Sequence, residues 1–198
     1  MGIMSTIGRP RAFDEEAVLD RAAEVFWRHG YEGASLSALT GAMGINRPSL
    51  YATFGSKQEL FARAFGRYHD RQVSVARAAL DRPGTREAIE AFLRSSADGL
   101  TAVDDHPAGC LSVQGGLACS PENAHVSEVL ATGRADTEAA LADRLTRATD
   151  LPSGVDPRAL ARFVMALSEG HAVHAAAGAT RAELHASIDV ALRVLIPA

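Results

Sequence analysis

The sequence predicts an all-α protein of about nine helices, arranged as a three-helix amino-terminal unit followed by a larger helical unit. Three observations carry that prediction. Apolar residues recur at spacings of three, four and seven along almost the whole chain, while alternation of apolar and polar residues is scarce. Residues that cap helix starts stand directly ahead of the periodic stretches, at Asp14, Asn46, Ser56, Asp156 and Thr180. Glycine and proline punctuate the gaps, most clearly in Asp81-Arg82-Pro83-Gly84.

The first helix is expected from Asp14, where Glu15 and Glu16 suit the positive end of the helix dipole. Val18, Ala22, Val25 and Phe26 form its inward stripe and Gly30 its end. A short second helix runs from Ser35 to about Met43, with Leu36, Leu39 and Met43 inward, and Gly44 stops it. Asn46 caps a third, very short helix in which Pro48 falls in the tolerant first turn. Ser56-Lys57-Gln58-Glu59 reads as a capping box opening a fourth helix, with Leu60, Phe61, Ala64, Phe65 and Tyr68 on one side and an end near Leu80. The fifth starts at Thr85, carries Ile89, Phe92, Leu93, Ser96 and Leu100, and is closed by Asp104 to Pro107. A sixth is expected from Gly109 to about Ala118, although Gly115 and Gly116 each cost about 1 kcal/mol against alanine in a helix interior. The seventh runs from Pro121 to about Thr149, and the eighth from Asp156-Pro157 through Leu160, Phe163, Val164 and Leu167. A second capping box, Thr180 to Glu183, opens the ninth, with Leu184, Ile188, Ala191, Leu192 and Leu195 along one stripe.

Of 198 residues, 47% are hydrophobic and 22% charged, a balance that supports a packed core and excludes a disordered chain. Met1 to Arg11 has no apolar core of signal-peptide length, and no later run approaches the ~20 apolar residues of a membrane helix. A cytoplasmic protein without a membrane partner is therefore expected. The cysteines, Cys110 and Cys119, lack both Cys-x-x-Cys spacing and the density of a disulfide scaffold, so they are expected as reduced thiols. The net charge of -4 is unevenly spread: residues 1–69 carry 8 Lys+Arg against 7 Asp+Glu, and residues 70–198 carry 12 against 17. The acidity lies mainly in the second part, which leaves nucleic acid open as a partner of the first.

Gly8 to Phe65 is the informative stretch. A helix, a short helix ending in glycine, a turn and another short helix place the last of these to enter a major groove about 12 Å wide. The succession Gly8-Arg9-Pro10, Ala23 to Phe26, His29-Gly30-Tyr31, Ser35 to Leu39, Met43-Gly44-Ile45-Asn46-Arg47-Pro48-Ser49-Leu50-Tyr51, Phe54 and Ser56 to Phe61 resembles the DNA-binding domain of the TetR family. By residue type, Asn46, Arg47 and Ser49, flanking Pro48 at the start of the recognition helix, are the base-reading candidates. Ser35, Tyr51 and Lys57 match family positions that contact the backbone, and Arg9 and Arg11 lie on an arm that suits an adjacent minor groove.

The resemblance implies a helix-turn-helix domain over residues 1–60 and a helical regulatory and dimerisation domain over 61–198. It implies a repressor on double-stranded palindromic operator DNA, released when a small-molecule effector tilts the fourth helix. An activator of the same fold is the alternative. Phe92, Leu111, Gln114, Met165 and His171 are the candidates for an effector cavity, mainly apolar with a few polar groups. The homodimer is expected through the last two helices, with Phe163, Leu167, His174, Leu184, Ile188, Leu192 and Leu195 as its interface.

Other chemistries fit less well. His171 and His174 share a helix face, but nothing supplies the third and fourth ligands zinc needs, so no metal and no cofactor is expected. A redox pair of Cys110 and Cys119 would be separated by about 13 Å along a continuous helix, against about 5.5 Å between Cα atoms in a disulfide. A thiol or histidine hydrolase is the rival from another class; without a Gly-x-Ser-x-Gly elbow or other nucleophile signature, no catalytic residue is assigned and no enzyme is expected.

Overall fold

A computed structural model of the chain describes residues 14–101, 106–116 and 119–195. Among these there are nine α-helices and no strand: α1 Glu15–Gly33, α2 Leu36–Met43, α3 Arg47–Phe54, α4 Lys57–Leu80, α5 Thr85–Thr101, α6 Leu111–Gln114, α7 Ala124–Thr146, α8 Pro157–Ala176 and α9 Arg181–Leu195. Local chemistry starts most of them. Asp14, Ser35, Asn46 and Asp156 accept backbone N–H groups of the first turns of α1, α2, α3 and α8. Ser56 with Glu59 and Thr180 with Glu183 close reciprocal capping boxes at α4 and α9.

Three boundaries differ from expectation. Gly30 does not end α1; it turns the backbone to φ 67°, ψ 172°, and one more turn follows to Gly33. The sixth helix shrinks to four residues, Leu111–Gln114, and the two glycines that follow it lie where side chains would collide. A Cβ on Gly115 would meet the Leu111 carbonyl at 2.7 Å, and one on Gly116 would meet a Leu130 methyl at 2.6 Å. The seventh is preceded by a 3-10 turn at Pro121–Asn123 and stops at Thr146.

Two apolar clusters form the core. The first joins α1, α2, α3 and the first half of α4, with Phe26 edge-on to Phe61 at 5.0 Å, and adds Leu111, Val126 and Leu130 from α6 and α7. The second joins the end of α4 to α5, α8, α9 and the end of α7, and takes Val113 from α6. At 24 residues, α4 is long enough (about 36 Å) to serve both. It is tied to α1 by Arg67, which binds Asp20 at 2.7 Å and Glu16 at 2.8 Å, and by Arg71, 2.8 Å from Asp20. Burial raises the Asp20 carboxyl, but these arginines outweigh it and hold the group below its usual range.

The packing corrects the expected dimer stripe. Leu184, Ile188 and Leu192 are 3%, 0% and 2% exposed and lie in the second cluster, where α9 packs on α5 of its own chain. They are core residues, not surface ones. Leu167 and Leu195 are partly buried against the same cluster, whereas Phe163 and His174 face outward. No helix among the described residues is long and apolar enough to cross a membrane.

Candidate functional site

The first site is the outer face of α3. Leu50 and Phe54 turn into the core, which leaves Arg47 and Pro48 exposed, Tyr51 half exposed and Ser49 partly so. Asn46 is exposed too, but its Oδ1 accepts the Ser49 backbone N–H at 2.9 Å. A bidentate pairing with adenine, which uses both amide atoms, therefore requires it to give up the α3 cap. Ser35 caps α2 by accepting from the Ala38 N–H at 3.1 Å. Lys57 lies over the Tyr31 ring, 4.6 Å from its centroid, and burial pulls its ammonium below the ordinary value while Glu32 opposes that pull. Arg9 and Arg11 lie outside the described residues.

The second site is a cavity of about 460 Å³ walled by α1, α4, α5, α6, α7 and α8. Of the expected effector residues it contains Phe92 and Met165 and not the other three. Leu111 is fully buried in the first cluster. Gln114 is occupied between two N–H donors, and the buried His171 has its Nε2 3.1 Å from Ser187 Oγ beneath α9. Burial lowers the His171 imidazole, with the neighbouring His174 and His185 adding to the effect. Trp27, Tyr68, Arg134 and Glu169 also line the cavity and were missed. Trp27 immediately follows the inward Phe26, so it sits about 100° further round α1 and serves a second surface. A tryptophan beside a completed stripe was the available signal.

The wall is apolar with paired charges. Trp27 meets Tyr68 edge-on at 5.2 Å, and Tyr68 Oη lies 3.2 Å from Cys110 Sγ. Burial first, then the neighbouring thiol, drives the Tyr68 hydroxyl well above its ordinary value, so it stays protonated. Arg134 binds the Ser112 carbonyl and stands 3.6 Å from Glu169, while Arg71 is held by Asp20. Burial raises the Glu169 carboxyl, partly opposed by Arg134.

The end of α1 is clamped to the loop ahead of α7. Glu32 accepts from the Ser120 backbone N–H and, at 3.0 Å, from Asn123 Nδ2, and these donors, Ser120 first, draw its carboxyl from 4.5 to about 2. A carboxyl depressed in the folded state stabilises above its ordinary value and loses that contribution as pH falls toward the folded one. Glu32→Gln should therefore melt below the native protein at pH 7, with the gap closing between pH 4.5 and about 2. Thermal melts across that range check this, and a gap that stays constant to pH 2 contradicts it.

Residues 18–64 match the sequence model of the bacterial regulatory proteins of the tetR family. The chain is 32% identical over 192 residues to the HTH-type transcriptional repressor ComR of Escherichia coli (strain K12), covering 94% of this chain and 91% of that one. It is 31% identical to the uncharacterized HTH-type transcriptional regulator YezE of Bacillus subtilis (strain 168), covering 96% and 100%. Among solved structures, a cysteine mutant of the TetR family transcriptional regulator CifR, complexed with 26bp double-strand operator DNA, aligns with a TM-score of 0.90 at 40% identity, covering 95% and 100%.

Proposed function

This chain belongs to the TetR family of bacterial regulatory proteins and is a DNA-binding transcriptional regulator, and from that premise we infer that it is a homodimeric repressor released from a palindromic operator by an uncharged small molecule. The observation that carries the reading is the exposed, capped face of α3 on a chain of which 95% aligns with an operator-bound relative. That alignment also supports taking the present arrangement as the operator-competent one. Repressor is favoured over activator because the similarity to a named repressor spans 94% of the chain, against 42% for a named activator, FasR of Mycolicibacterium smegmatis.

In this reading residues 1–60 read DNA and 61–198 sense and dimerise. Arg47 reads a guanine edge, Pro48 and Ser49 pack beside it, and Tyr51, Ser35 and Lys57 meet phosphates, the last by leaving Tyr31. Arg47→Ala should weaken specific binding by about 1 to 3 kcal/mol and leave the melting curve unchanged, because the side chain is exposed. Gel shifts with the DNA flanking its own gene, native against variant, test this; unchanged affinity would remove Arg47 from the base-reading set.

The effector is expected to be drug-sized, largely apolar and uncharged. A cavity of about 460 Å³ lies within the usual range for such ligands. An anion would have to displace a carboxylate from Arg71 or Arg134, whereas an uncharged molecule meets Trp27, Tyr68, Phe92 and Met165 without breaking those pairs. The dimer face is placed on the outward sides of α8 and α9. Among the described residues, four of the six exposed large hydrophobics lie there: Phe163, Val173, Val190 and Val194. His174 and the edge of Leu167 share the α8 side by helical spacing.

A further inference from the structure

One wall of the cavity is α1 itself, so the cavity touches the reading unit without an intermediary. Trp27 lies in that wall, 8% exposed, edge-on to Tyr68 and stacked on His106 at 5.4 Å. Its indole N–H donates to Gln114 Oε1 at 3.1 Å, across 87 residues of chain. The same oxygen accepts the Cys110 backbone N–H at 2.8 Å, so one carboxamide fixes both α1 and the start of α6. Gly109 leaves room for it: a Cβ there would come within 2.1 Å of that oxygen, on a backbone at φ 95°. One residue after Gln114, the Gly115 carbonyl accepts the Tyr31 backbone N–H at 3.1 Å, at the point where Gly30 breaks helical geometry.

We propose that these two hydrogen bonds, Trp27 to Gln114 and Tyr31 to Gly115, form a latch through which the cavity sets the angle of α1, in addition to any tilt of α4. The proposal rests on the reading of the chain as a ligand-released operator binder. A molecule seated in the cavity lies against the Trp27 ring on one side and Cys110, Ser112 and Val113 on the other, the two parts that the latch joins. It shifts the equilibrium to the extent that it prefers them apart. The consequence reaches DNA because α1 packs on α2 and α2 on α3.

Trp27 is the single tryptophan, so its emission reports the latch directly. The full-length protein, Gln114→Leu, Trp27→Phe and the double variant are titrated with an operator duplex obtained by selection from random DNA. A hydrogen bond made in the operator-competent state and lost in a variant should weaken operator binding about tenfold. Both substitutions remove the Trp27–Gln114 bond, and Gln114→Leu also frees the Cys110 N–H, so the double variant should bind within about twofold of Gln114→Leu. Acrylamide quenching of Trp27 should be low in the native protein, rise in Gln114→Leu and fall again when operator binds that variant. Single variants within twofold of native affinity, or a double variant whose losses multiply, would overturn the latch. Should Gln114→Leu fail to melt cooperatively, Trp27→Phe decides alone: native-like affinity overturns the latch. A selection that enriches no sequence overturns the operator-binding reading itself, an outcome distinct from latch failure.

Discussion

Ile188→Glu is expected to unfold the carboxy-terminal half of the chain rather than to dissociate a dimer. The side chain is 0% exposed and sits where α9 packs on α5 within one chain. The substitution removes a buried aliphatic group and leaves a carboxylate without a partner in an apolar cluster, and the two losses together cost at least about 4 kcal/mol. Urea unfolding followed by circular dichroism at fixed chain concentration measures it, since concentration alone shifts the apparent stability of an oligomer. A variant that unfolds cooperatively within about 1 kcal/mol of the native protein would return the α9 stripe to the surface.

Phe163→Glu combined with Val173→Glu should do the opposite: the chain stays folded, and the assembly and its hold on DNA are lost. Both positions face outward on α8, at 48% and 53% exposure, so no core contact is removed. Two like charges facing their symmetry copies across a two-fold axis oppose association, because an isologous interface places the same patch on both sides. A monomer engages one half-site and forfeits the high effective concentration that delivers the second recognition helix, so operator affinity should fall at least about a hundredfold. Light scattering at micromolar concentration and gel shifts check both parts. A dimer that persists would move the interface off α8, and a monomer with native affinity would contradict the two-half-site reading.

Helix starts, the helix-turn-helix and the all-α class were legible in the sequence because each depends on chemistry within a few residues. The Asp14 cap, the Asn46 cap before Pro48 and the Ser56–Glu59 box are settled by neighbours two or three positions away, and the structure shows each of them formed. Periodicity also identified which face of α9 is buried. It could not say against what. Leu184, Ile188 and Leu192 have the same spacing whether a partner or α5 covers them, and only the packing of α9 onto its own chain decided it. The cavity was beyond local reading for the same reason. Its walls come from six helices, and the contact that joins it to the reading unit links Trp27 to a residue 87 positions away. Periodicity placed Trp27 on the first helix, next to its inward stripe; tertiary structure alone put its indole on Gln114, because what a buried donor bonds is fixed by whichever acceptor the fold brings within about 3 Å.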